Sequence, residues 1–238
     1  MSNDAFRFNN AASAIEESAR ASAEEKQTGR IEAFSDGIFA IAATLLVLEV
    51  KIPADNITSG AALWSELGGN WSHYLAYLLG FFTILIMWMN HHMLFTYVRR
   101  SSHGLLIFNG LLLLVISFVP FPTALMAQYI DHLDTEMARV AMIVYSGVGI
   151  VIAIFYNLLW RHMSHNNRLI NTTADPREVR AITRGYMFGP MFYLIGFLVA
   201  FVSAPASIIA NLLLLVFFLL PGRVQGSLAD KVARKTSG

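Results

Sequence analysis

The chain has 238 residues, of which 55% are hydrophobic and 14% charged, and its formal net charge is +1. Soluble domains hold roughly 45–50% apolar and about 25% charged residues, so this composition and a mean hydropathy of +0.53 exclude an ordinary water-soluble globule and indicate a polytopic membrane protein. The absence of cysteine excludes disulfides and thiolate-bound metals; the net charge says nothing about partners, and the basic loops are explained by topology and require no nucleic acid.

Residues 1–29 come first, and "AASAIEESARASAEEKQ" (Ala11 to Gln27) has no apolar core of the signal-peptide type. Its Ala, Ser and Glu content predicts a disordered or loosely helical cytoplasmic tail. An amphipathic helix that stabilises an oligomer is the alternative. Six apolar stretches follow, each long enough or nearly so to cross ~30 Å of hydrocarbon. They cover 37–50 (with a polar lead-in from Ile31), 73–98, 104–127, 138–160, 186–202 and 206–220. The expected organisation is an all-α, six-helix membrane domain over 30–223 and a second cytoplasmic tail over 224–238. With six spans, both termini and the loops 99–103 and 161–185 share one side, which carries 15 of the 17 basic residues. Only Lys51 and Arg139 lie opposite. The positive-inside rule then puts both termini in the cytoplasm.

The first stretch, "FSDGIFAIAATLLVLEV" (Phe34 to Val50), has two unlike faces. On a helical wheel Phe34, Gly37, Leu45 and Leu48 fall within about 40° of Ile41, and Thr44 lies about 60° to one side. Asp36 falls about 140° away, near Glu32, Phe39 and Ala43. By spacing alone the stripe of Ile41, Leu45 and Leu48 reads as a helix-packing seam. A carboxylate just inside a membrane helix requires a partner within the protein. Asp36 is roughly 9 Å inward from Arg30. The second stretch runs the other way and sets His91 and His92 roughly 11–12 Å from the same edge at Arg99. Ser35, Asp36, Trp88, Asn90, His91 and His92 therefore share a depth. The grouping suits a structural hydrogen-bond network, a proton-sensitive element or a metal site. A metal needs three or four convergent ligands, and neighbouring histidines diverge by about 100° on a helix. No HxxE, ExxH or HxxxH spacing adds ligands, so the structural network is the expectation.

"RIEAFSDGIFAIAATLLVLEVKIP" (Arg30 to Pro53), with its Arg30-x-x-x-Phe34-Ser35-Asp36 core, resembles the signature of the transmembrane protein 175 family. "MWMNHHMLF" (Met87 to Phe95), "SFVPFPTALM" (Ser117 to Met126) and "FFLLPGR" (Phe217 to Arg223) are similar to further features of that family, so the resemblance covers about residues 30–223. It implies a potassium-permeable channel without a TVGYG filter, of the single-repeat prokaryotic type, assembled as a homotetramer in the plasma membrane. The first helix would line the pore, with Ile41, Leu45 and Leu48 as closing rings and Thr44 as a hydroxyl layer. The permeant K⁺ would pass near Ile41 and Thr44. Arg30, Ser35, Asp36, Trp88, His91 and His92 would form the structural network that ties the first helix to the second. No enzymatic activity, cofactor or structural metal is implied, and moderate preference for K⁺ over Na⁺ is expected. The alternative is a proton-permeable channel, or a proton-coupled channel or transporter, that uses Asp36, His91 and His92. A secondary transporter would show mirrored Pro-broken helices, and Pro120 and Pro122 have no such counterpart.

Overall fold

The computed structural model describes residues 2–51, 57–165, 169–171 and 175–219, and their regular structure is helical apart from one Val98–Ile170 bridge. The expected tail 224–238, the domain limit at 223 and the end of the sixth stretch at Leu220 lie outside the described residues. So do Arg168, Arg223, Lys231, Arg234 and Lys235 of the orientation count. The helices are α1 (Ser2–Leu45), α2 (Gly60–Gly69), α3 (Trp71–Thr96), α4 (His103–Ser117), α5 (Pro120–Tyr129), α6 (Glu136–Ser164), α7 (Pro176–Ala200) and α8 (Ala204–Leu219). Short 3₁₀ turns at Leu46–Glu49 and Ile130–His132 extend α1 and α5.

Among the described residues, five segments are long and apolar enough to cross a membrane: Ser22–Glu49, Trp71–Thr96, His103–His132, Glu136–Ser164 and Pro176–Ala200. Ala204–Leu219, where the sixth span was expected, is apolar but shorter. Residues 2–29 differ from the expected disordered or loosely helical tail, because α1 is a continuous helix of 44 residues from Ser2. Ala and Glu are strong helix formers, and prolonging an existing helix avoids the cost of a new nucleus. Arg100 Nε donating to Glu24 Oε2 at 3.1 Å, and buried Thr28, also tie its inner part to the bundle. Helix α2 was not expected. Its local start signal is Ser59, whose hydroxyl accepts from Ala62 N at 3.1 Å.

The prolines shape the rest. The third stretch breaks into α4 and α5 at Phe118–Val119. Pro120 and Pro122 have no N–H for the carbonyls of Ile116 and Phe118. Val119 N and Phe121 N take those carbonyls instead, at 3.1 Å each. Pro190 lies inside α7 and frees the carbonyl of Tyr186, which accepts Asn157 Nδ2 of α6 at 2.8 Å. Helix α7 starts ten residues before its expected apolar stretch, at Pro176, and Asp175 caps it by accepting from Arg177 N at 2.8 Å.

Helix α6 is the hub, packing against α4, α5, α7 and α8, with fully buried Leu159, Trp160 and Met163 near its C-terminal end. Helix α1 lies at the edge of the bundle and meets mainly α3 and α4. Gly80 of α3 lets α5 and the turn after α1 come close, since a Cβ there would stand 2.8 Å from Thr123 Cγ2 and 3.1 Å from the Leu46 methyls.

Candidate functional site

Helix α1 buries one face and leaves the other bare. Ile31, Ser35, Phe39, Ala42 and Leu46 recur at helical spacing and pack on α3 and α4, with Phe39 only 2% exposed and Leu46 1%. Opposite them, Ile41 is 56% exposed and Leu48 63%, and Gly37, Thr44 and Leu45 share their side. The stripe is therefore no packing seam within one chain. Thr44 stands out on it because its hydroxyl lies within reach of two carbonyls of its own helix, Ala40 O at 3.0 Å and Ile41 O at 2.9 Å. The proton is turned inward, and the oxygen lone pairs are left for whatever occupies the bare side.

The buried face carries a polar triad. Ser35 Oγ donates to Ile31 O at 2.9 Å and accepts Asn109 Nδ2 at 2.9 Å. The Asn109 oxygen lies 2.8 Å from His91 Nε2, so that nitrogen carries the hydrogen and donates it. All three side chains are buried. The imidazole stacks on Phe95 with ring centroids 4.4 Å apart and meets Phe39 at 5.3 Å. His91 Nδ1 has no hydrogen-bond partner among the described residues.

A second polar group sits nearer the surface between α1 and α3. Asp36 Oδ1 accepts Trp88 Nε1 at 2.8 Å. The indole stacks on His92 at 5.8 Å, and His92 Nδ1 lies 2.7 Å from Glu32 Oε1. The expected network is thus divided. Ser35 and His91 belong to the inner triad, while Asp36, Trp88 and His92 belong to the outer group. Arg30 belongs to neither: it is exposed on the side of α1 that carries Ile41. The adjacent imidazoles serve different partners because their ring directions diverge by about 100°. Asn109 was missed, although a lone amide inside "GLLIFNGLLLLVIS" was a visible signal. Glu32 appeared only as a wheel neighbour of Asp36.

This division sets the expected result of Asp36→Ala. The substitution strips the acceptor from a half-buried indole N–H, which should cost about 1 kcal/mol and lower the thermal unfolding midpoint in detergent. The K⁺/Na⁺ ratio should stay unchanged, because Asp36 faces α3 and not the bare stripe. Wild-type stability together with lost ion preference would instead place this acid in the permeation path.

Similarity to known proteins converges on the same elements. The model of the family described as endosomal/lysosomal potassium channel TMEM175 matches residues 30–120, from the inner part of α1 to the start of α5. A potassium channel of Chamaesiphon minutus is 49% identical over 197 residues, covering 83% of this chain and 96% of that protein. The crystal structure of a lysosomal potassium-selective channel TMEM175 homologue from Chamaesiphon minutus superposes with a TM-score of 0.73 at 46% identity, covering 83% of this chain and 99% of that one. The endosomal/lysosomal proton channel TMEM175 of Bos taurus is 33% identical over 126 residues, or 48% of this chain and 26% of that protein.

Proposed function

The chain belongs to the TMEM175 family, and on that premise we propose that it is a passive potassium channel whose pore is lined by α1. The observation that carries this reading is the bare face of α1, on which Ile41, Thr44, Leu45 and Leu48 are all exposed. One helix cannot enclose a pore. Four copies around a symmetry axis can, and a homotetramer with the bare face inward covers the stripe and leaves the buried face as it is.

In that assembly Ile41, Leu45 and Leu48 form stacked apolar rings. Water and ions gain no hydrogen bonds at such a ring, so a tight one stays dry and gates by wetting when the helices move apart. Such a filter has no cage of carbonyl dipoles. K⁺ is favoured because it sheds water more cheaply than the smaller Na⁺, and the outward lone pairs of Thr44 replace part of the lost shell. Discrimination is therefore moderate. The membrane domain is 30–223 with six spans, α8 being the sixth, and both termini face the cytoplasm of a prokaryotic cell. The helical residues 2–29 and the tail 224–238 lie on that side. The bilayer and three further copies of the chain are its partners, and no cofactor takes part.

The test is flux from liposomes containing the purified protein, together with native mass spectrometry. K⁺ should run down its gradient without a coupled ion, and the assembly should be a tetramer. A stable monomer in mild detergent and lipid, or transport that stops without a proton gradient, would overturn the reading. A proton-permeable channel is the second reading, favoured by the name of the Bos taurus relative. Acidification of the vesicle interior in the same experiment, abolished by His92→Gln and left intact by Ile41 variants, would select it.

A further inference from the structure

Helix α2 has a clear local start and no support from its own chain. Ser59 caps it, yet none of its ten described residues is buried. A helix of this length is too short to hold itself in water and, at about 15 Å, too short to cross the hydrocarbon. It needs a surface to lie on. Leu63, Trp64 and Leu67 fall within a sector of about 100°, whereas Ser65 lies about 150° and Glu66 about 110° from the middle of that sector. On the apolar side Trp64 is 77% exposed and Leu63 41%.

The position of α2 supplies the surface. Asn70 alone separates it from α3, and the ψ of 20° at Asn70, against about −42° within a helix, bends the chain there. The 26 residues of α3 extend about 39 Å, beyond the ~30 Å of hydrocarbon, so Trp71 at its start reaches the outer headgroup layer. Below Trp71, Leu75, Leu78 and Phe82 recur at helical spacing and are exposed, as befits the lipid-facing stripe of a membrane helix. The bare face of α2 therefore joins a surface already turned to lipid. Tryptophan is enriched at that depth because its ring is apolar and its N–H polar. Two of the four tryptophans, Trp64 and Trp71, stand in this corner.

We propose that α2 is an interfacial helix whose partner is the outer surface of the bilayer. Leu63, Trp64 and Leu67 sink among the first acyl carbons, and Ser65 and Glu66 stay in the headgroup water. The same corner is bonded to the pore helix. Asn70 Nδ2 donates to Lys51 O at 3.2 Å, and Lys51 lies two residues beyond the 3₁₀ turn that carries Leu48. When a thicker or thinner bilayer shifts α2, that bond passes the shift to the outermost ring of the pore. The outer placement and the coupling rest on the channel reading above; the contact with lipid does not.

The experiment uses the full-length protein in liposomes of phosphatidylcholine brominated on the acyl chains near the headgroup, which quenches nearby tryptophan. The difference in emission between wild type and Trp64→Phe isolates Trp64. That emission should be strongly quenched by the brominated lipid and little quenched by iodide in the water. Quenching by iodide instead would overturn the proposal by putting α2 in water. Protection from both quenchers would overturn it by showing that a neighbouring subunit covers the face. For the coupling, K⁺ efflux is compared in liposomes of short-chain and long-chain phosphatidylcholine, and wild-type efflux should differ several-fold between them. Asn70→Ala, which cuts the bond to Lys51, should lose most of that difference and keep the Trp64 quenching. Trp64→Ser, which weakens the hold on lipid and leaves the core untouched, should lose it as well. Equal wild-type efflux in the two lipids, or an undiminished difference in both variants, would overturn the coupling. No efflux in either lipid, with the quenching intact, would overturn the channel reading and the coupling with it, while the lipid contact stands.

Discussion

Ile41→Asn should turn a resting pore into a leak. The amide is smaller than the isoleucine side chain and gives the ring four hydrogen-bonding side chains, so the constriction widens and water no longer forfeits its bonds on entering. Each 1.4 kcal/mol taken off the wetting barrier multiplies conductance about tenfold, and basal current should rise by at least about that factor. Na⁺ should gain relative to K⁺, because less hydration has to be shed at a wet ring. Phe39→Asn is the matched control, since Phe39 lies on the buried face against the His91 ring. It should damage folding, through a lost aromatic core contact and a buried amide without a partner, and should open no leak. Current amplitude and reversal potential under bi-ionic conditions separate the two. An Ile41→Asn channel that behaves as wild type, alongside altered permeation in a change on another helix, would assign the pore lining elsewhere.

Asn109→Ala should be the most destabilising single change in the polar triad. It removes both partners at once: Ser35 loses the amide that donates to it, and His91 loses the oxygen that Nε2 donates to. Each buried group left unpaired costs about 1–3 kcal/mol, and the truncation also leaves a small void. The unfolding midpoint and the tetramer fraction should fall well below those of Asp36→Ala, whose single orphan is half-buried. Ion preference should not change in the population that still assembles. Replacing the whole set, Ser35→Ala with His91→Phe and Asn109→Leu, should recover much of the loss, because apolar groups of similar shape leave nothing unsatisfied. If the triple variant is no more stable than Asn109→Ala, the triad contributes through specific geometry and not merely through mutual satisfaction.

These two sites differ in how far they could be read from the chain. The faces of α1 were legible because a helix converts sequence spacing directly into angle, and the wheel separated Ile41 from Phe39 before any partner was known. Depth was legible too, since rise per residue placed Asp36, Trp88 and the histidines at one level. Which side chain meets which was not. Asn109 reaches Ser35 across 74 positions of sequence, and no local spacing encodes the rotation of α4 relative to α1. The break between α4 and α5 could be anticipated from Pro120 and Pro122. The early start of α7 could not, because its first turns are polar and carry no hydropathy signal. The 3₁₀ turn at Leu46–Glu49 also lies beyond a wheel drawn at 100° per residue.

The bond from Asn157 to the carbonyl that Pro190 leaves free has a consequence for descent. The two positions form a lock that opens in one order only. Restoring an N–H with Pro190→Ala lets α7 satisfy its own carbonyl, after which the amide at 157 is dispensable and can drift. Losing the amide first strands that carbonyl in the bundle. Lineages that have dropped Asn157 should therefore already lack the proline, whereas those that have dropped only the proline should still be found with the amide in place.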